Sequence, residues 1–185
     1  MIANPRFAAC HGGESQWVRI RAAERTELPL PQEIERSAGQ SFRDIGMPEI
    51  ADDDPFPLGE LAAYQRAGLA WVAVDDQDRP VAYLLTAHVD GNVHVEQVSV
   101  HSDSAHRRIG RMLLEHAADQ AGAEGAPALT LTTFAQVPWN APYYLTCGFQ
   151  LLAEDAAGPG LRAIRAREAA GGLDRWPRVG MRRSL

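Results

Sequence analysis

The chain has 185 residues, of which 45% are apolar, and it carries a formal net charge of −6. This length suits one globular domain with a buried core, and no apolar run approaches the ~20 residues that a membrane helix needs. The acidic balance argues against nucleic acid as the main partner and is compatible with a cationic substrate.

The N-terminal segment and the cysteines bear on location and cofactors. Residues 1–16 are small and polar, and we expect a flexible arm there, ahead of one folded domain at residues 17–185. The segment lacks the basic-then-apolar pattern of a signal peptide, and Cys10 and Cys147 are too few for a disulfide framework or a cysteine-rich metal site. We therefore expect a cytoplasmic protein without a membrane partner or a bound metal.

Hydrophobic periodicity and turn residues predict the elements of the first half of the chain. Pro31 is typical of a helix entry, and Gly68 is typical of a helix end. The segment between the two predicted helices, residues 44–57, is rich in Pro and Asp and is predicted to be a loop. In chain order we predict a strand at 17–22, helices at 32–43 and 58–67, and strands at 69–74, 80–89 and 93–100.

The last of these strands follows a hairpin turn at Asp90–Gly91 or Gly91–Asn92 and changes its pattern midway. Val93 and Val95 are apolar at odd positions, whereas Val98 and Val100 are apolar at even positions. A strand with one buried face cannot change parity without an extra residue, so the pattern predicts a β-bulge near residues 96–97. A strand buried on both faces would produce the same pattern.

The second half of the chain continues the alternation of helices and strands. Ile109, Leu113 and Ala117 recur at helical spacing and predict a helix that ends near Gly122. After it we predict a strand at 128–134, a short helix at 140–147, a strand at 149–152, a helix at 161–170 and a strand at 178–182. The order of elements predicts a mixed α/β domain.

The segment between the bulged strand and this helix, residues 98–114, has the features of an anion site. It reads VSVHSDSAHRRIGRMLL, so a strand is followed by polar and small residues and then by an amphipathic helix. A helix start offers free backbone N–H groups and the positive end of a dipole, and Gly110 lets the backbone approach a phosphate. Basic residues at this end of a helix, such as Arg108, indicate an anionic partner, although a plain surface helix remains an alternative.

This segment resembles the acetyl-CoA motif of the GNAT superfamily, the GCN5-related N-acetyltransferases. That motif is Q/R-x-x-G-x-G/A, followed by an apolar helix. The resemblance places Ala105 at the Q/R position, Arg108 at the first Gly and Gly110 at the second, so two of the three signature positions depart from the family pattern.

A second motif strengthens the resemblance. The run NAPYYLTCGF, residues 140–149, is similar to the family's last motif, in which a Tyr stands four residues before Gly-Phe. Tyr144 occupies that position. With the matching order of predicted strands, the resemblance covers about residues 17–152. It implies the GNAT fold, a mixed and mostly antiparallel central sheet with a bulged, splayed central strand, flanked by helices.

The resemblance implies an acyltransferase, with acetyl-CoA as co-substrate and direct attack by an acceptor amine. Tyr144 is implied as the acid that protonates the leaving thiolate, and Glu96 as the base that removes the amine proton. The acceptor stays open among small amines, amino acids, antibiotics and peptide amines; a homodimer is common among relatives. The implied coenzyme A contacts are Val98, Ser99, Val100, His106, Arg107, Arg108, Ile109, Gly110, Arg111, Asn140 and Tyr143.

A binding module and an interaction domain, both without catalysis, compete with this interpretation. The damaged signature is compatible with a module of the same fold that binds or senses acyl-CoA without turnover. His88, His94 and His101 fall on or beside strands, but they lack the close pairing of a zinc site.

Overall fold

The computed structural model describes residues 18–185, so the predicted arm at residues 1–16 and the start of the first predicted strand lie outside the described residues. The helices are α1 (Pro29–Gly39), α2 (Pro48–Ala51), α3 (Leu58–Arg66), α4 (Ile109–Ala123), α5 (Ala141–Thr146) and α6 (Pro159–Ala170). The strands are β1 (Arg19–Ala22), β2 (Ala70–Val74), β3 (Pro80–Val89), β4 (Asn92–Val100), β5 (Ala128–Phe134), β6 (Gln150–Leu152) and β7 (Arg178–Ser184). Within residues 18–185, no helix is both long and apolar enough to cross a membrane.

The strands form one seven-stranded sheet in the order β1-β2-β3-β4-β5-β7-β6. Neighbouring strands are antiparallel, except that β4 and β5 run parallel. The α4 helix makes the crossover between the parallel strands, as a parallel connection requires. This architecture confirms the predicted fold class.

The predicted bulge lies in the middle of β4. Leu85 of β3 pairs with Gln97, while the next residue, Thr86, pairs with Val95, so Glu96 is the extra residue. The change of apolar parity along β4 therefore reports a real slip in register, and the alternative of a regular strand buried on both faces is wrong.

The parallel strands β4 and β5 separate just before this bulge. Their pairing covers Val93 with Leu129 and His94 with Thr130, and the described register contains no pair beyond it. Residues 97–100 of β4 pair with β3 alone. A wedge, defined here as the gap between residues 97–100 of β4 and residues 132–134 of β5, therefore opens toward the C-terminal ends of both strands.

Helices cover both faces of the sheet. The larger core packs α4 and α5 against one face, with Leu113, Leu114 and Tyr144 among its buried side chains. On the other face, α1 and α3 pack Ile34 and Leu61 against β2 and β3. The α6 helix lies on this second face too, because its Glu168 hydrogen-bonds Thr132, which points away from α4.

The segment between α1 and α3 differs from the prediction. The helix expected at 32–43 begins earlier, at Pro29, because either proline can occupy a first helical turn. It ends at Gly39 and continues as a 3-10 helix, Gln40–Ile45, which Gly46 ends with φ of 77°. The predicted loop also contains the one-turn helix α2.

Candidate active site

The wedge is the main structural feature of the candidate site. Past the bulge, one edge of β4 has no strand partner, so its backbone N–H and C=O groups are available to an extended ligand. Ser99 is buried, and Val98 and Val100 are half-buried on this stretch. These residues, which the sequence predicted as ligand contacts, therefore form one wall of the wedge.

The loop that leads into α4 has an unusual backbone. His106 and Arg108 both adopt the left-handed conformation, each with φ of 62°. Arg108 is the N-cap of α4 and makes no side-chain capping hydrogen bond, and the first turn contains no acidic residue. The N–H groups of Ile109 and Gly110 in this turn can therefore donate hydrogen bonds to an anion, which is the kind of site that the sequence predicts.

Gly110 lies in this first turn, with Tyr143 of α5 beside it. A Cβ added at Gly110 would lie 3.5 Å from the Tyr143 hydroxyl oxygen and 3.6 Å from Val100 Cγ2, which are ordinary contact distances. Packing inside the protein therefore does not require glycine here. The glycine instead leaves the start of α4 open next to β4.

The two adjacent tyrosines of α5 have different surroundings. The ring of Tyr144 lies 5.8 Å from the ring of Phe149, and Tyr144 is only 8% exposed. Burial raises its pKa, and so do the neighbouring Tyr143 and Cys147. Tyr143 is half-buried, and burial beside the Cys147 thiol raises its pKa to about 12, while a backbone hydrogen bond from Arg111 acts in the opposite direction. Both phenols therefore stay protonated at neutral pH.

Glu96 is the bulge residue and lies on the face covered by α3 and α6. Burial raises the pKa of its carboxyl, the charges of Glu168 and Glu60 add to that rise, and Arg167 opposes it. Within residues 18–185 its carboxylate has neither a hydrogen bond nor an ion pair. An unpartnered, half-buried carboxylate with a raised pKa is suited to accept a proton.

Asn140 carries an orphan acceptor beside the wedge. Its Nδ2 donates to Thr133 Oγ1 of β5 at 2.8 Å, whereas its Oδ1 is buried without a partner among the described residues. A buried unpaired amide oxygen is costly. A ligand N–H in the wedge would satisfy it.

Two polar groups on the second face escaped the sequence analysis. In one, the Glu35 carboxylate of α1 accepts from the Tyr83 hydroxyl and from Gln97. In the other, Glu168 forms a two-point ion pair with Arg178 of β7. The first joins residues 48 and 62 positions apart and the second joins residues ten positions apart on different elements, so no periodic pattern within one element marks either pairing in advance.

The parted parallel strands, the bulge and the helix start define an acyltransferase fold of the GNAT type. The family described as Acetyltransferase (GNAT) family matches residues 32–149, which is more than half of the chain. The chain belongs to this family. Membership of this family confirms the predicted superfamily and the predicted enzyme class. It also confirms acetyl-CoA as the family's co-substrate.

Known proteins give the same result. A peptidyl-lysine N-acetyltransferase, YjaB, of Salmonella typhimurium is 33% identical over 81 residues, 44% of this chain, and the chain spans about half the length of that relative. A GNAT-family acetyltransferase of Staphylococcus aureus superposes with a TM-score of 0.67 at 14% identity, covering 91% of this chain and 99% of the other. N-acetylglutamate synthase of Neisseria gonorrhoeae, complexed with coenzyme A and N-acetyl-glutamate, gives a TM-score of 0.68 at 15% identity, covering 93% of this chain and 36% of the other.

Proposed function

We propose that this protein transfers an acetyl group from acetyl-CoA directly to a primary amine. The observation that carries the proposal is the parting of β4 and β5 at Glu96. There, a half-buried carboxylate on one face adjoins a gap whose other side is covered by the helix of Tyr144. Holding two reactants in line at such a gap supplies much of the rate.

The residues around the wedge fit coenzyme A. The free edge of residues 98–100 would hydrogen-bond the pantetheine arm, and the orphan Oδ1 of Asn140 would accept from one of its amide N–H groups. The start of α4, from His106 to Arg111, would bind the pyrophosphate. Bound there, the co-substrate supplies the activated acyl group.

Glu96 would act as the base that removes the proton from the attacking amine, directly or through water. A base works best when its pKa lies near the operating pH, and the raised pKa of Glu96 lies closer to neutral pH than that of an ordinary glutamate. Tyr144 would act as the acid that protonates the leaving thiolate, since a phenol with a raised pKa is protonated before transfer.

The acceptor is proposed to be a primary amine with cationic character, on a small molecule or a peptide. The relative named a peptidyl-lysine acetyltransferase supports an amine on a carbon chain. Glu96 and Glu60 place negative charge beside the wedge, on the second face of the sheet. In the Asp-rich segment at residues 44–57, Asp52 forms an ion pair with Arg43, which leaves less of the segment's negative charge to attract a cationic acceptor.

A matched pair of tyrosine variants tests the proposal. Tyr144→Phe removes one oxygen from a ring that packs on Phe149, so the fold should survive while kcat falls by about 10²–10⁴ with little change in the KM for acetyl-CoA. Tyr143→Phe is the control and should retain most of kcat, because its hydroxyl lies over Gly110. Loss of kcat in Tyr143→Phe alone would show that Tyr143, and not Tyr144, is the acid.

A non-catalytic acyl-CoA-binding module is the second candidate. It is favoured by Arg108, which takes a left-handed conformation where the family motif has glycine. Coenzyme A binding by calorimetry, together with a panel of amines, separates the two. Tight binding without acetylation of any amine would establish the module and exclude the enzyme.

A further inference from the structure

Glu35 is a half-buried carboxylate that the proposed reaction does not use. Its Oε2 accepts from the Tyr83 hydroxyl at 2.7 Å and from the Phe56 backbone N–H at 3.2 Å. Its Oε1 accepts from Gln97 Nε2 at 3.3 Å. The side chain is thus held in one orientation by donors from three separate elements.

These donors are all neutral. No Arg or His side chain forms an ion pair with Glu35 in the part of the chain that the structure describes, whereas the partly buried Glu168 pairs with Arg178. Burying a carboxylate costs free energy unless a positive charge compensates it. Burial raises the pKa of Glu35 and the charge of Asp53 adds to that rise, whereas the hydrogen bonds from Tyr83 and Phe56 and the charge of the neighbouring Arg36 oppose it.

The bulge brings this carboxylate next to the reaction centre. Gln97 pairs with Leu85, which faces α1 and α3, so Gln97 points to the same side. Glu96, the inserted residue, also lies on this face, where burial, together with the charges of Glu168 in α6 and Glu60 in α3, raises the pKa of its carboxyl. Glu35 therefore contacts the residue immediately after the proposed base, at the point where β4 has lost β5.

Two aromatic residues lie near the two carboxylates, with Phe56 next to Glu35 and Tyr64 within reach of the charge of Glu96. Phe56 donates its N–H to Glu35, and its ring lies 6.2 Å from the ring of Tyr64 in an edge-to-face contact. Burial raises the pKa of Tyr64 to about 12, and the charge of Glu96 is the next cause. Both rings are half-buried. A short chain with a positive group at each end would thus meet a carboxylate at each end and aromatic rings along its length.

We propose that Glu35 binds a second cationic group of the acceptor, so that the preferred acceptors are diamines or amines with a second ammonium a few carbons from the reacting one. This inference rests on the proposed acetyl transfer, because it assigns the reacting amine to Glu96. Glu35 is then a specificity-determining residue, and its contact with the second ammonium is made in the ground state and in the transition state alike.

Matched acceptors test this assignment. Acetylation of 1,3-diaminopropane, 1,4-diaminobutane and 1,5-diaminopentane is compared with that of propylamine, butylamine and pentylamine at one ionic strength. The wild-type protein should show a kcat/KM for its best diamine about tenfold or more above that for the matching monoamine, as expected for a charge-assisted hydrogen bond. Glu35→Gln should remove that preference through KM and leave the monoamine within about twofold.

The control is Glu33→Gln, which removes a carboxylate from an exposed position of the same helix and should retain the preference. Equal use of diamines and monoamines by the wild-type protein, or equal loss of both in Glu35→Gln, would overturn the inference and leave acetyl transfer intact. If no amine is acetylated, acetyl transfer itself has failed. Calorimetric titration of 1,4-diaminobutane into the coenzyme A complex then decides: binding that Glu35→Gln abolishes supports the inference, and absence of binding overturns it.

Discussion

Arg108 adopts a backbone conformation that costs the fold free energy. Its φ of 62° is a conformation that glycine adopts freely and that costs other residues about 1 kcal/mol. His106, two residues earlier, has the same conformation. The loop therefore keeps the tight path that the family motif builds with glycine, and it carries charged side chains along that path.

Arg108→Gly should therefore stabilise the protein by about 0.5–1 kcal/mol, because it relieves the left-handed strain. It should also keep or improve the affinity for coenzyme A, since the backbone N–H groups of α4 remain. Chemical denaturation and calorimetry measure the two effects. Arg36→Gly is the matched control: Arg36 lies within α1, where glycine should cost about 1 kcal/mol. A destabilised Arg108→Gly protein with weaker coenzyme A binding would show that the arginine side chain itself holds the ligand.

The residues of the candidate site differ in how well the sequence could predict them. Tyr144 and Gly110 lie in contiguous motifs, and the valines around Glu96 carry the bulge in their parity, so a local pattern sufficed. The contacts of Glu35 with Tyr83 and Gln97 join residues 48 and 62 positions apart. Such contacts depend on how helices settle on the sheet, which periodicity does not encode.

At the scale of elements, the β3–β4 hairpin and the α6 helix are tied at their ends. The hairpin turn places Asp90 and Gly91 at φ of 51° and 75°, and the Asp90 carboxylate accepts from the N–H groups of Gly160 and Leu161 in the first turn of α6. These hydrogen bonds lower the pKa of Asp90. The strand that carries Glu96 is thereby fixed to the helix that carries Glu168.

Gly158→Ala should break this tie. An added Cβ would lie 2.3 Å from Asp90 Oδ2, so the carboxylate must leave the start of α6. The Tm should fall, even though replacing glycine by alanine usually stabilises where the backbone permits it. Gly122→Ala is the control, because a Cβ there meets no atom within 4 Å in the α4 helix, and it should stabilise by about 0.5–1 kcal/mol. Equal changes in Tm for the two variants would show that Asp90 contributes nothing to holding α6.

The elements themselves were predicted to different degrees. The bounds of β3 and β5 agree with the sequence prediction, since Pro80 and Asp90 delimit β3 and Pro127 precedes β5. The turns at residues 40–51 were missed, because their shape follows from side chains that reach across the molecule. Phe42, for example, packs edge-to-face against Phe134 at 5.7 Å and against Trp139 at 5.4 Å. These contacts hold the segment against the end of β5, and no periodic pattern within the segment records them.

At the scale of the whole molecule, His94 links stability to pH. It is 1% exposed and lies where β4 and β5 still pair, with its Nδ1 3.0 Å from Thr130 Oγ1. Burial lowers its pKa from 6.5 to about 4, which Glu168 opposes and Arg167 reinforces. The folded protein therefore keeps this histidine neutral at pH values where the unfolded chain binds a proton.

This difference predicts a loss of stability in mild acid. Above about pH 6.5 the histidine is neutral in both states and contributes no pH dependence. As the pH falls from 6.5 to about 4, the unfolded chain gains a proton that the folded protein excludes, so the free energy of unfolding should fall by roughly 3 kcal/mol from this residue alone. Glu35 and Glu96 have raised pKa values and act with the opposite sign, so the informative quantity is the difference between wild type and variant.

Replacing His94 by Gln should remove this component, since an amide can hydrogen-bond Thr130 and does not titrate. Urea unfolding at half-unit steps between pH 4.5 and pH 7.5, followed by circular dichroism, would measure it. The difference in free energy of unfolding between wild type and His94→Gln should narrow steadily as the pH falls, because only the wild-type protein has His94 to protonate on unfolding. His88→Gln is the control, because His88 lies at the surface beside Glu124. This variant should show the same dependence of the free energy of unfolding on pH as the wild-type protein. Parallel pH curves for wild type and His94→Gln would mean that His94 can be protonated within the fold, and that the junction of β4 and β5 is open to water.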